Sequence, residues 1–290
     1  MKAILIGLGQ IGLGLIVPVF KRAGYTIVGT DASIDRLNAL RNGYFLKTPS
    51  EVTKVEVDVV SMDEASDKFD AIVTSVGRQH LEKVATWCRE KNLLAPVLLA
   101  ENLPDPVNHF PRQIPIVVDR ICPRTETHDG ILTAIAEDYY KIVILDNPST
   151  HQLGTVNGVE LVVSEEELER KRKQKMFTVN TSHVLTALFG QQLGCSLVEE
   201  AIARPEVATR IRSAVSEVGP WLGFDCQEAE ERDSEITKRF GDPVQDSLSR
   251  ILGPVNRKSA LRYVEVPLTG VRSVGATAPT LEEAQALLNS

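Results

Sequence analysis

The hexapeptide Gly7-Leu8-Gly9-Gln10-Ile11-Gly12 directly follows the apolar run KAILI, and it constrains the fold more than any other feature of the chain. Glycines at this spacing suit a strand-to-helix turn. Gly7 permits the tight turn, Gly9 lets the backbone approach a pyrophosphate, and Gly12 lets helix and strand pack closely. The start of the following helix offers unpaired N–H groups to phosphate charge, so Gln10 and Ile11 join the candidate cradle. Asp31 stands at the end of the next β-rich run. An acidic side chain there accepts hydrogen bonds from a ribose 2′-hydroxyl and repels a 2′-phosphate, which favours NAD over NADP. Arg36 suits contact with an adenine face or a 2′-phosphate, but reads more simply as a solvated helix residue. Ser75 and Gly77, in the segment Ser75-Val76-Gly77, lie where such a fold passes the cofactor towards its nicotinamide. Gly77 equally suits a plain strand-to-helix turn.

Around this motif the first half alternates short apolar runs with helical patterns. The runs at 2–6, 25–30, 57–60, 70–74, 97–100 and 116–118 are nearly continuous in apolar residues, as in parallel strands covered on both faces. Between them, residues 33–41 form a helix pattern with Ser33 as its cap, a face of Ile34, Leu37 and Leu40, and Gly43 beyond. The expected fold is α/β, a Rossmann doubly wound parallel sheet followed by a mostly α-helical C-terminal domain. Two more β-like runs, 131–136 and 141–145, flank Glu137-Asp138-Tyr139-Tyr140 and suggest a hairpin at the sheet edge. From Ser164 onward helical periodicity dominates, which sets a dinucleotide-binding domain at 1–163 and a helical substrate domain at 164–290. Pro18 falls within the helix after the glycine loop, where an interior proline costs about 3 kcal/mol. An irregular or shortened first helix is expected.

A formal net charge of −7 argues against a general nucleic-acid binder, because phosphate neutralisation needs a basic surface. It leaves room for a local basic pocket. The four cysteines, Cys88, Cys122, Cys195 and Cys226, show no CxxC spacing, which suits reduced thiols in a cytosolic protein. One basic residue before an apolar run at the start resembles a signal peptide, but the glycines and the continuing βαβ pattern argue for a folded segment. No apolar stretch is long enough to span a membrane. A cytoplasmic protein is expected.

The helical half opens with KMFTVNTSHVLTALFGQQLG, beginning at Lys175. On an α-helix with Lys175 at zero, Asn180 falls at about 140° and His183 at about 80°, so the three share a face. A lysine, an amide and an imidazole on one surface suit alcohol oxidation. The base removes the hydroxyl proton while hydride leaves carbon, and amide donors stabilise the developing carbonyl oxygen. A lysine acting as base near neutrality needs a pKa several units below about 10.4, which burial in a dry interdomain cleft supplies. A plainer reading stands beside this one. Lys175 ends the charged stretch EEELERKRKQK, which suits a solvated helix face, and His183 suits a satisfied core histidine.

The segment from Lys175 resembles the catalytic-helix signature of the polyol-specific long-chain dehydrogenases (the mannitol dehydrogenase family), most of all its mannitol-1-phosphate 5-dehydrogenase branch. That resemblance implies a Rossmann domain joined to a helical domain, no metal, and a lysine followed by asparagine and histidine at the spacing of Lys175, Asn180 and His183. It implies Lys175 as general acid/base, Asn180 in the oxyanion-binding site and His183 positioning the substrate. Glu101-Asn102-Leu103 resembles the family's acidic-Asn motif, which makes Asn102 a second oxyanion ligand; alone it reads as a turn former. Val118-Asp119-Arg120-Ile121-Cys122-Pro123 resembles a segment whose aspartate lies beside the substrate, here Asp119; alone, Asp119 and Arg120 read as a local salt bridge. Gly158-Val159-Glu160-Leu161 is similar to the family's run into the catalytic helix. Arg239-Phe240, Asp242-Pro243 and Arg257-Lys258 resemble a later stretch, with Arg257 and Lys258 as candidates for a substrate phosphate or carboxylate. Two departures stand out. Arg172 occupies the position where some members carry a glutamate, and the chain ends sooner than members do, implying a shortened helical domain.

The implied function is metal-independent, NAD-dependent interconversion of a polyol or polyol phosphate with its keto or aldo sugar, by a monomer or homodimer. Two alternatives are a β-hydroxyacid dehydrogenase of the 6-phosphogluconate type and a non-catalytic NAD-binding regulatory protein. The lysine-to-asparagine spacing and His183 favour the polyol family over the first, and a retained base argues against the second.

Overall fold

In β1 (Lys2–Ile6), Ala3 and Leu5 enter one hydrophobic core while Ile4 and Ile6 enter another, because successive strand side chains point to opposite faces. The same division holds in β6 (Ala71–Thr74), where Ala71 and Val73 go one way and Ile72 the other. A sheet buried on both faces follows, and it accounts for the continuous apolar runs. The computed structural model describes residues 1–65, 68–101, 108–254 and 256–289, and the chain divides into two compact units, Met1–Glu169 and Arg170–Ser290.

In the first unit β1 leads through a π turn (Gly12–Ile16) into α1 (Val17–Arg22). There follow β2 (Thr26–Thr30), α2 (Ile34–Leu40), β3 (Tyr44–Lys47), β4 (Val52–Val55), β5 (Asp58–Val59), β6, α3 (Leu81–Glu90), β7 (Val97–Leu99) and β8 (Gln113–Asp119). Then come β9 (Arg124–His128), β10 (Ile131–Ile135), β11 (Lys141–Leu145) and β12 (Val159–Val162). The main sheet runs β12-β11-β8-β7-β6-β1-β2-β5. From β5 to β8 every pairing is parallel, and the chain adds strands first on one side of β1 and then on the other, as in a Rossmann fold. The α2 helix starts at Ser33, whose hydroxyl accepts the Arg36 N–H, as the sequence indicates.

A second sheet, β4-β3-β10-β9, has no counterpart in the sequence reading. Its Tyr44, Leu46, Leu132 and Ala134 join the core that holds Leu13, Leu15 and Ile16 of the glycine-loop helix. The expected hairpin of residues 131–136 and 141–145 does not form. β10 pairs with β9 and β3, whereas β11 pairs antiparallel to β8 and parallel to β12. The reason lies in the link between them. Glu137 is fully buried, its carboxylate accepts the Ile121 N–H at 2.5 Å and its carbonyl accepts two Arg120 donors. An anchored segment of this kind cannot make an exposed reversal.

The second unit is helical. α4 (Glu165–Lys175) runs through a π turn (Met176–Asn180) into α5 (Thr181–Gln192). Then follow α6 (Val198–Ile202), α7 (Pro205–Leu222), α8 (Cys226–Phe240), α9 (Leu248–Leu252), α10 (Arg257–Ser273) and α11 (Pro279–Asn289). α5 is the central helix, touching α6, α7, α9, α10 and α11. Local sequence sets the breaks: Pro205 opens α7, Gly223 at φ 75° closes it, and a reciprocal Asp225–Glu228 capping box starts α8. No helix among the described residues is long and apolar enough to cross a membrane.

Candidate active site

Gly7 leaves β1 at φ 97°, its N–H bonded to the Thr30 carbonyl at 2.9 Å. A Cβ there would lie 2.4 Å from the Ser75 carbonyl oxygen, and one on Gly12 would lie 2.3 Å from the Gly7 oxygen. Gly9 is different. A Cβ on it would meet nothing nearer than the Arg36 guanidinium at 3.8 Å, so Gly9 faces open space beside the first helical turn. That is the cradle a pyrophosphate needs, and the residues present fit a dinucleotide. Gln10 is exposed and donates to the Pro123 carbonyl at 2.8 Å, and Ile11 is half-buried.

Asp31 ties the loop to β2. Its carboxylate accepts the Leu8 N–H at 2.8 Å and the Ser33 N–H at 2.9 Å, and Arg36 Nη1 lies 3.5 Å away. Arg36 is thus paired to Asp31 rather than free in solvent. A carboxylate with about four acceptor sites keeps capacity for ribose hydroxyls after two backbone bonds. On the far side of β1, Ser75 N–H bonds the Ile6 carbonyl at 2.8 Å, and Gly77 takes φ 82°. The buried Glu101 carboxylate holds this loop through the Thr74 hydroxyl at 2.8 Å and the Val76 N–H at 3.1 Å. Burial raises its pKa, with those bonds opposing. Asn102 lies outside the described residues.

Pro18 has its expected effect by a specific route. Proline cannot bond the carbonyl four residues back, that of Gly14, and Arg120 Nη1 supplies the missing donor at 2.5 Å. The neighbouring Leu13 carbonyl takes the Tyr44 hydroxyl at 2.6 Å. Both carbonyls belong to the π turn, and Pro18 itself sits in the first turn of α1. Arg120 therefore serves the carbonyls of Gly14 and Glu137. Asp119 is the buried last residue of β8.

In the second unit, every residue from 174 to 190 is buried except Lys175, Asn180 and His183. The three candidates form the only accessible stripe on that stretch. The π turn between Lys175 and Asn180 tightens it. Thr178 Oγ1 donates to the Gln174 carbonyl at 2.7 Å, and a hydroxyl placed on that acceptor favours a shift of backbone bonding. A π turn winds one extra residue into the helix, so Asn180 moves from about 140° to about 40° and His183 from about 80° to about −20°. The stripe narrows to roughly 60°, closer than an uninterrupted helix allows.

Neighbouring elements support His183 and Asn180. His183 Nε2 lies 2.9 Å from Asp246 Oδ2, and its ring centroid stands 5.2 Å from that of Phe240. Asp246 is fully buried and takes two bonds from Arg250, at 2.6 and 2.7 Å. Although burial opposes ionisation, the 2.9 Å approach of His183 and the two Arg250 bonds hold its pKa well below the ordinary carboxylate range. Asn180 bonds the Tyr263 side chain, and Thr181 Oγ1 donates to the Tyr263 carbonyl at 2.6 Å. Burial raises the Tyr263 pKa, with the Asn180 bond opposing. Sequence reasoning missed Asp246 and Tyr263. The one available signal was Asp246 four residues before Arg250, a helical ion-pair spacing.

Arg257 and Lys258 are exposed at the start of α10, and Arg257 Nη2 donates to the Leu288 carbonyl at 2.8 Å. Arg257 lines a cavity with Leu188, Gln191 and Ser249 near the far end of α5. Tyr263, the α10 residue that meets Asn180, lies about 9 Å further along the helix axis. The structure does not gather Arg257 with the Lys175 stripe.

Residues 167–277 match the mannitol dehydrogenase C-terminal domain. Over 89% of this chain and 80% of the relative, the sequence is 28% identical to mannitol-1-phosphate 5-dehydrogenase of Bacillus pumilus. It is 29% identical to the Halalkalibacterium halodurans enzyme of that name, over 87% of this chain and 77% of the relative. The matched stretch, residues 167–277, is thus similar to the C-terminal domain of mannitol dehydrogenases. Lys175, Asn180, His183, Asp246 and Tyr263 all fall inside the matched family domain. The fold agrees: mannitol 2-dehydrogenase of Pseudomonas fluorescens, solved with NAD and D-mannitol, superposes with TM-score 0.75 at 14% identity, over 99% of this chain and 79% of that one. A 2-dehydropantoate 2-reductase from Geobacter metallireducens gives TM-score 0.66 at 16% identity, over 100% and 99%.

Proposed function

We propose that this chain is a member of the mannitol dehydrogenase family and an NAD-dependent oxidoreductase of CH–OH groups, interconverting a polyol or polyol phosphate with its keto or aldo sugar. The observation that carries the reading is the stripe itself, because a lysine, an amide and an imidazole are the exceptions in the otherwise buried stretch 174–190. The relatives' shared name, mannitol-1-phosphate 5-dehydrogenase, supplies the substrate class. It also disfavours the hydroxyacid alternative.

The dinucleotide, when bound, supplies the hydride acceptor. Gly7, Gly9, Gln10, Ile11 and Gly12 receive its phosphates, Asp31 its ribose, and Ser75 and Gly77 border its path. Lys175 Nζ takes the proton from the reacting hydroxyl in oxidation and returns it to the carbonyl oxygen in reduction. Asn180, with Asn102, donates to that oxygen as charge develops. His183 holds a neighbouring hydroxyl, and Asp119 lies beside the substrate. Arg257 and Lys258 meet an anionic group only if the substrate extends towards the start of α10. The protein works in the cytoplasm as a monomer or homodimer.

The test is Lys175→Ala. A positioned acid/base contributes about 10²- to 10⁴-fold, so turnover of mannitol 1-phosphate with NAD should fall by that factor while NADH binding stays within about twofold. Near-normal turnover would remove Lys175 from its role. A wild-type protein inactive on mannitol, mannitol 1-phosphate and other polyols would remove the function.

A further inference from the structure

Asp246 is buried, ionised and shared. Its Oδ1 accepts Arg250 Nε at 2.6 Å, and its Oδ2 accepts Arg250 Nη2 at 2.7 Å and faces His183 Nε2 at 2.9 Å. The Asp246 side chain is 1% exposed against 18% for His183, so only the imidazole opens outward. Arg250, four residues along on α9, supplies the positive charge that makes a buried carboxylate tolerable. The Asp246 carbonyl also accepts the Val198 N–H at 2.9 Å, fixing the residue's backbone beside α6.

An ionised carboxylate only accepts hydrogen bonds. The imidazole nitrogen that faces it must therefore carry the proton, and in a neutral ring the other nitrogen is left as an acceptor. Phe240, packed against the ring, restricts its rotation. We infer that Asp246 is a positioning residue which fixes His183 as the Nε2–H tautomer and presents Nδ1 as an acceptor for a substrate hydroxyl. This rests on the proposed function and deepens it. The site then selects a substrate whose hydroxyl next to the reacting carbon can donate, and an analogue with hydrogen there leaves Nδ1 unpaired.

Asp246→Asn separates this role from simple packing. The amide keeps the shape, but its oxygen is drawn to Arg250 and its NH₂ turns towards Nε2, which must then accept. The ring passes to the Nδ1–H tautomer. Histidine ¹⁵N chemical shifts of the full chain in mildly alkaline buffer, assigned with His183→Gln, read this directly and need no substrate. The expected result is an Nε2–H pattern for His183 in the wild type and its loss in Asp246→Asn. In parallel, kcat/KM should fall by about 10- to 100-fold, the usual effect of removing a partner that orients a histidine, with NADH affinity unchanged. Discrimination against the deoxy analogue should shrink.

An Nδ1–H tautomer in the wild type overturns the inference, and it does so even if Asp246→Asn fails to fold. So does an Asp246→Asn protein with the wild-type His183 pattern, or with wild-type kcat/KM. Absence of polyol turnover in the wild type overturns the functional reading instead, and leaves the tautomer measurement standing by itself.

Discussion

Two alanine substitutions in the glycine loop should separate folding from cofactor binding. In Gly12→Ala the new methyl carbon would lie 2.3 Å from the Gly7 carbonyl oxygen. That neighbour is backbone at the mouth of β1, so relief requires moving the helix off the strand. Overpacking of this kind costs about 1–3 kcal/mol. At roughly 2–4 °C per kcal/mol for a unit of this size, Tm should fall by about 2–12 °C. Gly9→Ala differs at each step. Its methyl would meet nothing nearer than Arg36 Nη1 at 3.8 Å, and Gly9 is not among the glycines with positive φ. The native backbone then suits alanine, and reduced freedom in the unfolded chain adds about 0.4–1 kcal/mol of stability. Yet the methyl fills the space through which the backbone meets the pyrophosphate, so NADH affinity should drop at least about tenfold, or 1.4 kcal/mol. Thermal unfolding and a fluorescence titration with NADH measure the two effects separately. A Gly9→Ala protein that binds NADH as well as wild type refutes the cradle, and a Gly12→Ala protein of undiminished Tm refutes the packing argument.

Further outcomes follow from other groups. Asp31→Ser removes the repulsion of a 2′-phosphate and frees Arg36, 3.5 Å away, to bind one. The ratio of kcat/KM for NADP over NAD should rise at least about tenfold, and an unchanged ratio counts against Asp31 as the ribose ligand. Burial raises the Glu101 pKa. Its contribution to stability is therefore complete below the ordinary carboxylate value of about 4.3 and is lost as pH rises through the higher folded value. The urea stability of wild type relative to Glu101→Gln should fall with pH across that window; a constant difference contradicts the sign. Cys226 is exposed, whereas Cys88 is buried with its thiol pushed up to about 11. Brief alkylation of native protein, read by mass spectrometry, should mark Cys226 and spare Cys88, and prompt labelling of Cys88 would show that its site is open.

What could be read beforehand was the part governed by local rules. The glycine loop, Ser33 as a cap and the strands on either side of β1 each depend on a few adjacent residues, and each is found in place. The second sheet was invisible because its strands are short and three of four β4 residues face outward, leaving no alternation to detect. The hairpin failed for a related reason. β10 and β11 have interchangeable apolar patterns, and their partners were chosen by Arg120 and Glu137, which meet only in the folded chain. Asp246 escaped notice in the same way. It lies more than sixty positions from His183, and nothing local marks a carboxylate as an imidazole's partner.

The helix after the glycine loop and the helix that carries the Lys175 stripe each contain a π turn, and in both a residue that breaks the α-helical bonding pattern stands at or just beyond it. Beyond Gly12–Ile16 it is Pro18, which cannot donate to Gly14; at Met176–Asn180 it is Thr178, whose hydroxyl takes the Gln174 carbonyl. In isolation each break weakens its helix. In the first unit Arg120 and Tyr44 repair the damage by donating to the freed, buried carbonyls, and the repair ties β3 and the end of β8 to the glycine-loop helix. In the second, the extra residue draws Lys175, Asn180 and His183 onto one narrow arc. A regular helix would have kept Asn180 well away from Lys175. The irregularity is therefore the step that turns a spacing in the sequence into a convergent set of side chains, and a heptad-perfect version of the same segment would pack as well and gather them less closely.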